Sequence, residues 1–186
     1  MATRTRVSLE EFLAMPETEP PSELWDGEVV QKVAPSWNLA TLTSYIIGEL
    51  RTYLARSGEG QVVNELRHVE RTEERVYLPH VSVMLAGRRP ADPEERRQGP
   101  VESQPDIAIE ILSPGDSAGR TLQRADFYLR VGVSLAWFID PETRTLTAYR
   151  PGMQPTVHTE PETVDAKPVL ADFTLDLAAM FAEMDA

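Results

Sequence analysis

The chain has 186 residues, 41% of them hydrophobic, which suggests one domain with a core and excludes a disordered chain. Cysteine is absent, so disulfides and cysteine-bound zinc are excluded, and with only three histidines, His68, His80 and His158, a site built on histidine clusters is not expected. A net charge of −12 repels polyphosphate and counts against tight non-specific nucleic-acid binding, though local basic patches survive an acidic total.

No apolar run approaches the ~20 residues that span a bilayer, and Met1 to Arg6 does not lead into an apolar segment. The expectation is a cytoplasmic protein with no membrane partner. Ser8-Leu9-Glu10-Glu11 has capping-box spacing and opens a short helix that stops near Pro16. Ser22 to Val33 reads as a hairpin around Asp26-Gly27, a pair suited to a turn needing positive φ. Ser36 to Arg56 is the strongest helix. Leu39, Leu42, Ile46, Leu50, Tyr53 and Leu54 recur at helical steps, and Gly58 ends it.

Gln61 to Leu66 reads as a strand. Val76 to Leu85 reads as a second strand, at an edge or bulged at Pro79, because proline cannot donate to a ladder. Gly87 to Gln104 is a long exposed loop with one helical turn at Pro93 to Arg97. Ile107 to Leu112 is a buried strand, Thr121 to Val131 a helix stopped by Gly132, and Leu135 to Ile139 a strand. Thr145 to Tyr149 returns antiparallel after the Asp140 turn. Pro151 to Pro168 is loop-like with one short strand, and Leu175 to Met184 is a terminal amphipathic helix. Helices interleaved with strands give an α/β (α+β) fold with a mixed sheet, one domain over residues 1–186. There is no internal repeat and no glycine-rich phosphate loop.

Strand side chains alternate faces. Ile107, Ile109 and Ile111 therefore share one face, and Ala108, Glu110 and Leu112 the other. Glu110 is a carboxylate within an apolar strand and needs a cation, a metal or hydrogen bonds. The blander alternative is a structural ion pair with an arginine. His80 stands after Pro79; a lone strand histidine is more often hydrogen-bonded packing than a ligand. Arg120 and Arg124 share a helix face, so they could grip a phosphate, or Arg124 could neutralise Glu110. Asp106 is either an auxiliary ligand or, more in keeping with its place, a strand-entry turn residue. Arg88, Arg89, Arg96 and Arg97 are offset by Asp92, Glu94 and Glu95 and read as a solvated face. Trp25, Trp37 and Trp137 fit core packing.

An ordered series runs Asp26-Gly27-Glu28, Pro105-Asp106-Ile107-Ala108-Ile109-Glu110-Ile111-Leu112-Ser113-Pro114, Phe127-Tyr128-Leu129-Arg130-Val131-Gly132-Val133 and Ala136-Trp137-Phe138-Ile139-Asp140-Pro141. It resembles the bacterial Uma-type restriction endonucleases of the PD-(D/E)XK superfamily, over about Val7 to Phe181. The resemblance implies a restriction-endonuclease-like mixed sheet flanked by helices. It implies metal-dependent hydrolysis of DNA phosphodiesters, with Mg²⁺ or Mn²⁺ held by a strand aspartate and a strand glutamate and a lysine on the next helix. Double-strand cutting further implies a homodimer. Carried over by position, the glutamate is Glu110 and the early glutamate is Glu23. The aspartate position holds His80, the lysine position holds Arg124, and the histidine opening the long helix falls near Leu39. The implied site is thus Glu23, Glu110 and Arg124 as catalytic residues, with His80 and Glu110 toward a metal. Imidazole beside carboxylate suits a transition ion better than Mg²⁺. Arginine keeps the charge of lysine in a different shape. The competing expectation is a catalytically inactive nuclease-fold protein that binds a protein or nucleic-acid partner.

Overall fold

The computed structural model describes residues 6–185. Helix α1 (Leu9–Leu13) is closed by the expected capping box: Ser8 Oγ accepts from the Glu11 amide, and the Glu11 carboxylate accepts from the Ser8 amide. Strands β1 (Ser22–Trp25) and β2 (Glu28–Gln31) form the hairpin, with Asp26 and Gly27 at φ 51° and 77° in its turn. Helix α2 (Trp37–Ser57) starts at Ser36 and ends on left-handed Gly58. Leu39, Leu42, Ile46, Leu50 and Leu54 form its buried stripe.

The next segment corrects the sequence reading twice. After β3 (Gly60–Asn64) comes a strand that the sequence reading leaves out, β4 (His68–Glu70). The stretch expected as one strand is two: β5 (Arg75–Tyr77) and β6 (Val81–Leu85). They lie in different sheets, and Leu78-Pro79-His80 carries the chain between them. Proline's missing donor marks a change of sheet here rather than a bulge.

A short helix α3 (Pro93–Gln98) interrupts the long loop before β7 (Ile107–Ile111), helix α4 (Ala118–Arg130), β8 (Leu135–Asp140) and β9 (Thr145–Tyr149). The C-terminal region holds more strand than expected: β10 (Thr156–Thr159), β11 (Thr163–Ala166) and β12 (Leu170–Asp176). The last helix, α5, is confined to Leu177–Ala182. Its expected first turn belongs to β12, where Leu170, Phe173 and Leu175 are buried.

The main sheet has six strands in the order β10-β9-β8-β7-β6-β3. Only β7 and β8 pair in parallel, as their connection through α4 requires. A second sheet runs β2-β1-β5-β4, and β11 pairs with β12. One face of the main sheet, with Ile107, Ile109, Ile111 and Trp137, packs on α2, β12 and α5. The other carries Ala108, Ala136 and Phe138 against Ala125, Phe127 and Tyr128 of α4 and Tyr77 of β5. Leu24, Val69 and Val76 of the smaller sheet close over Leu9 and Phe12. Trp37 does not pack in the core: it is 71% exposed. It precedes Leu39 by two residues, about 200° around the helix from the buried stripe.

Candidate active site

Alternation along β7 puts Glu110 on the α4 side of the sheet, 4% exposed among apolar neighbours. Such a carboxylate must be met by donors. Tyr128 and Arg124, one turn apart on α4, supply two to Oε1: the Tyr128 hydroxyl, and an Arg124 terminal nitrogen at 2.9 Å. Oε2 lies 2.7 Å from Nδ1 of His80.

Arg124 reaches a second carboxylate. Its two terminal nitrogens donate to the two oxygens of Glu23 at 3.0 and 2.6 Å, a bidentate pair. Glu23 is 2% exposed and accepts further from the Leu78 amide at 2.8 Å and from the Trp25 indole at 3.0 Å. The Trp25 ring also lies under the guanidinium, 4.6 Å from centroid to carbon. Lys32 stands just beyond, its ammonium donating to the Leu78 carbonyl at 3.0 Å and lying 3.7 Å from Glu65.

Burial is the largest influence on Glu110 and favours its neutral form. The charge of Arg124, the hydrogen bond and charge of His80, and the charge of Lys32 together outweigh it, leaving the carboxyl well below its usual range. Burial likewise opposes the charge on Arg124, and Glu23 and Glu110 overcome that, so the guanidinium holds its proton more tightly than usual. Burial and the neighbouring Glu110 push the Tyr128 hydroxyl well above its ordinary range. Glu110 and Arg124 are therefore ionised and Tyr128 is a neutral donor.

Nδ1 of His80 thus pairs with Oε2 of Glu110 at 2.7 Å, and the Ile111 amide, 3.3 Å away, points a donor at the same nitrogen.

The structure brings Glu23, His80, Glu110 and Arg124, four residues singled out in the sequence, into one contact network. Leu39 lies apart in the α2 core. Asp106 also lies apart: it accepts from the Leu85 amide at 2.8 Å and pairs with Arg88 at 3.1 Å, the strand-entry role. Sequence reasoning missed Trp25 and Lys32. Trp25 carries a signal, since it stands two residues from Glu23 on one strand; Lys32 carries none.

These donors do not fit a Mg²⁺ site. Mg²⁺ asks for about six oxygens in octahedral array. Both oxygens of Glu110 and both of Glu23 are taken by nitrogen and hydroxyl donors, and a guanidinium lies between the two carboxylates. Among the described residues, no three histidine, aspartate or glutamate side chains are grouped to hold an ion.

Residues 9–178 match the family described as "Uma2: Putative restriction endonuclease". A crystal structure described as a putative nuclease belonging to DUF820, from Anabaena variabilis, superposes with a TM-score of 0.85. The two chains are 27% identical over 96% of this chain and 99% of that one. A DrdV–DNA complex aligns with a TM-score of only 0.33, at 10% identity over 77% of this chain and 13% of that one, and carries no argument. Among curated proteins none matches.

Proposed function

The chain belongs to the Uma2 family of putative restriction endonucleases, and from that premise we propose that it has given up divalent-metal-dependent cleavage of DNA while keeping the nuclease fold. The observation that carries this reading is the place of Arg124, whose guanidinium forks onto Glu23 and also binds Glu110. A cation belonging to the chain neutralises the two carboxylates that would otherwise recruit a metal. His80, at the position where the family's aspartate is expected, supplies nitrogen rather than the oxygen that Mg²⁺ prefers. The protein then acts on its partner, nucleic acid or protein, as a nuclease-fold module independent of Mg²⁺.

Plasmid nicking in Mg²⁺ and in Mn²⁺ tests this. The expected result is no metal-stimulated nicking by the wild type, and gain of nicking when His80→Asp is combined with Arg124→Lys. Wild-type nicking that requires a divalent ion and disappears in Glu110→Ala would overturn it. A second reading, retained cleavage with Mn²⁺, is favoured by one feature: among the described residues Nε2 of His80 has no hydrogen-bond partner, and a ring nitrogen suits a transition ion. The Mn²⁺ arm decides between the two.

A further inference from the structure

The seam between the two sheets holds a second group of charged side chains. The chain passes from β3 in the main sheet to β4 in the smaller one through Glu65-Leu66-Arg67, and from β5 back to β6 through Leu78-Pro79-His80. Both connections line a cleft of about 210 Å³, together with Glu17 and Pro21 ahead of β1 and Gln98 to Pro100 at the end of α3. That is room for about seven water molecules. None of Glu23, His80, Glu110 and Arg124 lines it. Leu78 is the link between the two places: its amide donates to Glu23 at 2.8 Å and its carbonyl accepts from Lys32 at 3.0 Å.

Arg67 is the group in this cleft that lacks partners. Its side chain is 20% exposed. Among the described residues its guanidinium has one acceptor, Glu17, at 3.1 Å from Nη1. Its Nε is sealed from solvent and has no hydrogen-bond partner. A guanidinium carries five donors, and burying a charge with so few acceptors is costly. Arg124 shows the contrast, with both oxygens of Glu23 and one of Glu110. The acceptor that Arg67 does have is loosely held, because the Glu17 side chain is 80% exposed. An ion pair to so exposed a carboxylate contributes little and is readily exchanged.

We propose that this cleft is a binding site for a small monocarboxylate with a short apolar body, whose carboxylate takes the place of Glu17 on Arg67. Pro21, Leu66, Leu78 and Pro100 supply apolar walls for the body. A cation beside apolar walls selects an anion that is apolar elsewhere. Charge sets the class. Exchange of one carboxylate for another at Arg67 leaves the balance of the cleft unchanged. A dianion would bring surplus negative charge beside Glu65, whose own cation, Lys32, is 3.7 Å away.

The test uses the full chain with benzoate as probe, in EDTA, so that its outcome is independent of the metal reading. Benzoate should shift the ¹H–¹⁵N signals of Leu66, Arg67, Leu78 and Gly99 and saturate with a Kd on the order of 1 mM. Glu17→Gln, at an exposed side chain, should tighten binding about two- to fivefold by removing the competing carboxylate. Arg67→Met should lose binding; should that variant fail to fold, the affinity of Glu17→Gln decides alone. Benzamide, neutral and of nearly the same shape, should leave the four signals in place. Signals that do not move with benzoate, equal shifts with benzamide, unchanged or weaker binding in Glu17→Gln, or saturable binding in a folded Arg67→Met would each overturn the site. Inorganic phosphate moving the same signals at equal concentration would overturn the monocarboxylate class.

Discussion

Arg124 grips Glu23 through both terminal nitrogens, at 3.0 and 2.6 Å, joining α4 to β1 across 101 residues of sequence. Glu23 lies in the smaller sheet and Glu110, the other partner of Arg124, in the larger. One guanidinium thus ties both sheets to the helix.

Removing that guanidinium leaves two buried anions unpaired. Arg124→Met should cost about 3–5 kcal/mol, the usual consequence of breaking a buried pair from one side. Arg124→Lys should cost less, because an ammonium restores charge without the planar fork. Adding Glu23→Gln to Arg124→Met should recover part of the loss by removing one anion. Urea midpoints for the three variants give the ranking; a loss under about 1 kcal/mol in Arg124→Met would show that the network contributes little.

Metal linkage gives a second reading of the same site. Millimolar Mg²⁺ or Mn²⁺ should leave the wild-type Tm unmoved. The double variant His80→Asp, Arg124→Lys should gain several degrees with Mn²⁺, since an ion bound only by the folded state stabilises it. A wild-type shift of similar size would count against the guanidinium as the resident cation.

Acid should destabilise the fold in two separable steps. Burial, opposed only by the Ser103 hydrogen bond, lowers His68 from 6.5 to about 4. A lowered imidazole is kept neutral by the fold, so its contribution is complete above pH 6.5 and drains away as pH falls from 6.5 toward 4. The loss is about 3 kcal/mol at most. Glu110 acts lower: its depressed carboxyl contributes fully above its ordinary 4.5, and loses that contribution as pH falls further. His68→Gln should flatten the urea midpoint between pH 7 and 4.5 and leave the steeper fall beneath it. An unchanged slope would assign that window to other groups.

Two glycines should respond oppositely to alanine. Gly48 lies at an exposed position of helix α2 with nothing within 4 Å of an added Cβ, so Gly48→Ala should stabilise by about 0.5–1 kcal/mol. At Gly60 the same Cβ would stand 2.4 Å from the Met84 carbonyl oxygen, where β3 pairs with β6. Gly60→Ala must push the strands apart and should cost about 1–3 kcal/mol. Thermal melts of the two variants should move in opposite directions.

The sequence by itself determined what depends on neighbours along the chain. The alternation of isoleucines set which way Glu110 points, the four-residue step put Arg124 and Tyr128 on one helix face, and Asp26-Gly27 turned the first hairpin. These follow from local geometry with a fixed period. Only the tertiary structure decided that Val76 to Leu85 divides between two sheets, that Trp25 lies beneath the Arg124 guanidinium, and that Lys32 comes within range of Glu110. The strands β10 to β12 were hidden for a similar reason: they are short, and each is stabilised by a partner strand rather than by a periodic pattern of its own. Whether Glu110 faces a metal or a guanidinium turns on Glu23, far off in the chain. A carboxylate's partner is chosen by distance in space, and local periodicity does not encode that.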